Sequence, residues 1–225
     1  MSRAADVIVR PYAPADRPIV RRICADTGFL GNPIDPVFED RELFADYLTD
    51  YYLSLEPDSA WVCELRGEVR GYLLGCGRPW LKPAYQLFAN VGVAARALYR
   101  AARYPYGEAS RAFMRWVVWH GWRETPTTPF HTPHFHLNVL PDARSVRGTR
   151  CMIESFLAHL MARGHRRVYG QMVTFERRRT QALFERYGFR VADRVPISKY
   201  QASTTERVFL STVIKDLTSR AAPRS

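Results

Sequence analysis

Leu137-Asn138-Val139-Leu140-Pro141-Asp142-Ala143-Arg144-Ser145-Val146-Arg147-Gly148-Thr149-Arg150 runs from an apolar strand, through a short basic loop, into a helix. Pro141 closes the strand, and the stripe Met152, Ile153, Phe156, Leu157, Leu160 and Met161 predicts a helix over 145–163. Gly164 supplies its stop. A helix N-terminus exposes unpaired N–H groups at the positive end of the macrodipole. Small residues there let a phosphate approach the amides, while Arg144, Arg147 and Arg150 add charge and forked donors. The pattern fits a pyrophosphate cradle. It equally fits a solvated basic loop.

Outward from this stretch the chain alternates strands and helices. Val7–Pro11 reads as a first strand, and Asp16 and Pro18 as the cap and first turn of a helix that Gly28 ends. A second helix is expected over Glu39–Leu48. The runs 60–65 and 69–75, joined through Arg66-Gly67-Glu68, read as a hairpin. Strands are expected at 135–140, 168–173, 189–196 and 207–215, with a short helix at 177–187. The order predicts a single α/β sheet with helices on both faces. One domain is expected over 1–217, with a frayed tail at 218–225.

Residues 78–131 interrupt the rhythm. They hold Trp80, Trp116, Trp119 and Trp122, and eight Arg or Lys against Glu108 and Glu124. Two helices are expected, about 84–103 and 107–122. The first carries an apolar stripe (Leu87, Val91, Ala94, Ala95, Leu98) and a basic one (Arg96, Arg100, Arg103). The plainest reading packs the apolar stripe on the sheet and leaves the arginines in water. A lid over an acceptor, or a peripheral contact with an anionic membrane through 84–122, fits the same pattern.

Composition bounds the rest. The chain has 225 residues, 47% hydrophobic and 24% charged, with a net charge of +11. Those values suit an ordered globular protein. No apolar run of about 18 residues occurs, so no membrane-spanning helix is expected. The N-terminus lacks a signal-like apolar region, and the reading is cytoplasmic. Cys24, Cys63, Cys76 and Cys151 are scattered, which argues for reduced thiols and against a structural metal site. The charge favours an anionic partner. No known nucleic-acid motif accompanies it.

Three stretches resemble the GNAT N-acyltransferase superfamily, together covering about 1–77 and 133–215: Val9-Arg10-Pro11-Tyr12 with Asp16, His134–Pro141 followed by Arg144-x-x-Arg147-Gly148-Thr149, and Ala182–Phe189. The His134-Phe135-His136-Leu137-Asn138 strand and Gly71-Tyr72 are similar to the bacterial subset near the acetyltransferase-like domain of O-GlcNAcase. The resemblance implies a mostly antiparallel sheet with a splayed central strand pair, and transfer of an acetyl or other acyl group from acyl-CoA to an unidentified amine acceptor, without a metal. It places Asn138, Val139 and Leu140 along the pantetheine arm, and Arg144, Ser145, Val146, Arg147, Gly148, Thr149 and Arg150 at the pyrophosphate.

The sequence also departs from the family. Arg147 and Thr149 stand where the pattern has Gly and Gly or Ala. Phe184 occupies the place of a Tyr that protonates the leaving thiolate, Tyr187 lies three residues on, and Arg177 replaces a common Asn. A catalytically weak CoA-binding module is therefore the alternative, as either a monomer or a homodimer.

Acyl transfer to an amine needs a group that takes its proton. His134 and His136 share one strand face and have a suitable intrinsic pKa. Either could equally be a satisfied half-buried residue. With His131 they also suggest metal ligands, but no fourth ligand has a typical spacing. Glu64 and Asp142 are reserve bases.

Overall fold

The computed structural model describes residues 7–103, 105–176, 185–200 and 204–217. Its seven strands are β1 (Val7–Pro11), β2 (Ala60–Leu65), β3 (Glu68–Cys76), β4 (His134–Val139), β5 (Arg167–Phe175), β6 (Arg190–Pro196) and β7 (Val208–Asp216). The five helices are α1 (Arg17–Asp26), α2 (Arg41–Leu55), α3 (Lys82–Arg103), α4 (Glu108–Trp119) and α5 (Val146–Ala162). The expected tail at 218–225, and most of the 177–187 helix with Arg177 and Phe184, lie outside the described residues.

The sheet order is β1-β2-β3-β4-β5-β7-β6. Every neighbouring pair is antiparallel except β4 and β5. Arg66 and Gly67 both have positive φ, 56° and 81°, the conformation that closes a tight two-residue hairpin with the right twist. Gly164 takes φ +78° just past α5, as expected of a helix stop.

α1 and α2 cover one face, where Val20, Ile23 and Cys24 meet Phe44, Tyr52, Val62 and Tyr72. α5 covers the other, where Met152, Ile153, Phe156 and Leu160 pack on Leu73, Phe135 and Val168. Each of those fully buried α5 side chains contributes about 1.5–3 kcal/mol. α2 runs seven residues beyond its expected end, because Thr49, Tyr51, Tyr52 and Leu53 continue the buried side.

Asp16 does not cap α1 with its side chain. Its carboxylate accepts instead from the Ala13 N–H at 2.8 Å and from both terminal nitrogens of Arg10, at 2.7 and 2.9 Å. Arg10 also reaches Glu64 at 2.7 Å, so one guanidinium ties β1, β2 and the entrance to α1 together.

The insertion reverses the plain sequence reading. Two of the three arginines of α3 reach the protein: Arg96 meets Asp46 at 2.6 Å, and Arg100 pairs with buried Asp40, while Arg103 is exposed. The apolar stripe faces outward, with Leu87, Phe88, Val91, Leu98 and Tyr99 all exposed. Tyr85, Val93 and Ala97 of α3 pack against the α1–α2 core between these ion pairs, so the docked side of α3 combines small apolar contacts with charge pairing to α2.

Candidate active site

The Leu140 N–H bonds to the Arg70 carbonyl at 2.9 Å, and the Tyr169 N–H to the Pro133 carbonyl at 2.9 Å. Alternation along β4 therefore turns the backbone groups of even residues toward β3 and those of odd residues toward β5. The β4–β5 ladder contains only His134–Tyr169 and Phe135–Gly170. Beyond it the strands part. The Leu137 N–H and C=O and the Val139 N–H then point into the gap without a strand partner. The Val139 carbonyl accepts from Arg144 Nε at 3.3 Å.

α5 starts seven residues after the end of β4. Ser145 caps it, its hydroxyl accepting from the Gly148 N–H at 3.0 Å. A Cβ on Gly148 would stand 2.9 Å from Cys63 Sγ and 3.0 Å from Val7 Cγ1, so glycine lets the helix seat on β1 and β2. The first-turn N–H groups of Val146 and Arg147 remain outside the helical ladder.

The three loop arginines have different surroundings. Arg144 is a staple, its Nη2 donating to the Gly31 carbonyl at 2.9 Å. Arg150 pairs with Glu154 at 2.7 Å. Arg147 is exposed and has no ion pair or side-chain hydrogen bond among the described residues. Thr149 is half-buried, its N–H bonded to the Ser145 carbonyl at 3.2 Å.

On the α1–α2 face the even side chains of β4 line up. Asn138 donates to the Tyr72 hydroxyl at 2.9 Å. His134 is buried, with Nε2 2.6 Å from Lys82 Nζ and 3.0 Å from the Tyr52 hydroxyl. Lys82 also donates to Tyr52 at 2.7 Å. An ammonium cannot accept, so His134 Nε2 is the acceptor and its ring proton sits on Nδ1. Burial pushes Lys82 down to about 8, which leaves it mostly charged at neutral pH. Burial, then the Lys82 charge, holds His134 well below the usual histidine range and pushes His136 down to about 4. Both rings are neutral at pH 7. His136 is half-buried with its ring 5.8 Å from that of Tyr52.

The reserve bases are occupied: Glu64 by Arg10 at 2.7 Å, and Asp142 by Arg70. Tyr187 packs beside the α5 core, with Arg150, Glu154 and Arg186 as charged neighbours. Three residues of the site had no signal in the sequence. Lys82 counted only as charge, Tyr52 lay beyond the expected end of its helix, and Gln171 did not count at all. Gln171 follows the last β4–β5 pair, and its buried Nε2 has no hydrogen-bond partner among the described residues.

No family model and no curated relative matches the chain. Solved structures do. SsHAT matches with a TM-score of 0.59 at 23% identity, over 95% of this chain and 100% of that one. The polyamine N-acetyltransferase of Drosophila melanogaster, which catalyses formation of N-acetylagmatine, matches at 0.55 and 12%, over 94% and 100%. The fold is that of the GNAT N-acetyltransferases. A third structure, yncA from Salmonella typhimurium with its cofactor acetyl-CoA, matches at 0.52 and 13%, over 97% and 98%. The expected mixed, mostly antiparallel sheet is the one observed, and the parting of β4 from β5 is the splayed pair that the GNAT resemblance implies.

Proposed function

We infer that the chain is an N-acyltransferase that moves an acetyl or other acyl group from acyl-CoA to an amine by direct attack. The observation that carries this reading is the early end of the β4–β5 ladder on a strand that leads directly into a Ser145-capped helix. Backbone N–H groups held open in a gap are rigid donors for a thioester carbonyl and for amides of a pantetheine arm. The Val146 and Arg147 N–H groups, with the exposed Arg147 guanidinium, would hold the pyrophosphate. The likeness to a structure solved with acetyl-CoA supports the same choice of donor.

The two histidines take different parts in this reading. His134 is engaged by Lys82 and Tyr52 and positions Lys82. His136 has a neutral ring at pH 7 and accepts the amine proton as the new C–N bond forms and the C–S bond breaks. That proton leaves with the CoA thiolate, so the products are an amide and the free thiol. The Gln171 amide donates to substrate, which gives its buried N–H groups the partner they lack. Tyr187 is the remaining candidate for returning a proton to sulfur. The finer kinship with the O-GlcNAcase-like subset rests on the His134–Asn138 strand and Gly71-Tyr72.

A panel of amines assayed for thiol release from acetyl-CoA tests the reading. Release that requires both an acceptor and His136 is expected. Tight acetyl-CoA binding without release for any amine would leave a non-catalytic CoA-binding module instead.

A further inference from the structure

α3 meets the domain through Tyr85, Val93 and Ala97 together with charged side chains. Arg96 reaches Asp46, Arg100 pairs with Asp40, and Tyr85 donates to Asp50 at 2.6 Å. Lys82 is drawn into the His134 cluster. The outward side is left to Leu87, Phe88, Val91, Leu98 and Tyr99, which are 63% to 78% exposed, with Ala94 and Ala95 between them. At about 1.5 Å per residue, the stripe from Leu87 to Tyr99 is roughly 18 Å long. A contiguous exposed apolar surface of this length marks a binding surface.

Charge identifies what it binds. No Asp or Glu lies between Glu68 and Glu108. Arg103 ends the helix with its guanidinium 5.7 Å from the Tyr99 ring. α4 continues the insertion with exposed Arg111 and Arg115, and Arg123 lies 4.7 Å from the ring of exposed Trp122. A second copy would set one basic insertion against another on chains that each carry +11. An anionic bilayer meets the same charge with its complement, and Trp, Tyr and Arg suit the headgroup boundary. Among the described residues no helix is long and apolar enough to cross a membrane. The contact therefore lies in the interface.

We propose that the outward face of α3 docks on anionic phospholipid, its axis in the membrane plane and its inward side on α2. This inference is independent of the acyltransferase reading. The test is co-sedimentation of the full chain with phosphatidylcholine vesicles, with and without phosphatidylserine. At least about tenfold more binding to the anionic vesicles is expected, falling as salt is raised. The Leu87→Asp/Leu98→Asp double variant, altered only at exposed positions, should lose that binding while keeping the wild-type melting temperature. Salt titration of the wild type is the readout should the variant fail to fold. Equal binding to both vesicles, or none, would overturn the proposal. So would a wild-type dimer that the double variant splits in the absence of vesicle binding.

Discussion

Lys82 Nζ lies 2.6 Å from His134 Nε2, so a residue from the basic insertion completes a cluster on the central strand β4. The contact ties the insertion to the candidate chemistry, because the Lys82 charge also depresses His136.

Replacing that cation should therefore move a pH profile. Lys82→Met removes the second cause of the His136 depression and leaves burial, the first. The acid limb of kcat/KM, near pH 4 in the wild type, should shift upward in the variant. An unchanged limb would detach His136 from Lys82. In His136→Gln, kcat should fall about 10²–10⁴-fold with the fold intact.

The loop arginines should separate by function. Arg147→Ala removes an exposed side chain, so stability should stay within about 0.5 kcal/mol while acetyl-CoA affinity drops roughly tenfold. Arg144→Ala breaks the staple to the Gly31 carbonyl and should lower the melting temperature instead. Calorimetry and thermal denaturation on the same samples distinguish the two.

Gly148→Ala puts a methyl group 2.9 Å from Cys63 Sγ and should cost about 1–3 kcal/mol by urea unfolding, because α5 must lift off β2. Ser145→Ala removes the α5 cap and should cost about 1 kcal/mol.

Gln171→Leu removes a buried amide whose nitrogen has no partner among the described residues. Stability should stay level or rise, while KM for one of the two substrates increases. Loss of stability would show that the amide is satisfied within the fold.

Acid should unfold the chain through its paired carboxylates. The Arg10 hydrogen bond holds Asp16 below the usual carboxylate range, against the opposing effect of burial. A depressed folded pKa stabilises above the unfolded value, near 3.9, and that stabilisation disappears as pH falls through the folded value. Urea midpoints should begin to fall below about pH 6.5, where His134 and His136 protonate in the unfolded chain but stay neutral in the fold, and should fall further below about pH 4 as the carboxylates protonate. Asp16→Asn should reduce that acid loss.

Much of the fold was legible because its signals are local. Val7–Pro11, the Arg66-Gly67 turn, the α5 stripe and Gly164 each need only neighbours a few residues away. The start of α5 also rests on near neighbours, since Ser145 and Gly148 are a cap and its target. The rest depended on distant partners. Arg144 reads as a phosphate ligand until Gly31, 113 residues earlier, is found holding it. α3 reads as packing through its leucines until the aspartates of α2 are placed opposite its arginines. Lys82 and His134 are 52 residues apart, and no spacing rule joins them. Helix periodicity gives the two stripes of α3 but not which one faces inward.

The central claim is that the gap between β4 and β5, with the capped start of α5 that follows β4, receives acyl-CoA. Isothermal titration of the full chain with acetyl-CoA tests it most directly. A saturable one-to-one isotherm, weakened roughly tenfold by Arg147→Ala, is the predicted result. No heat of binding at millimolar acetyl-CoA, with the chain folded by circular dichroism, would contradict it.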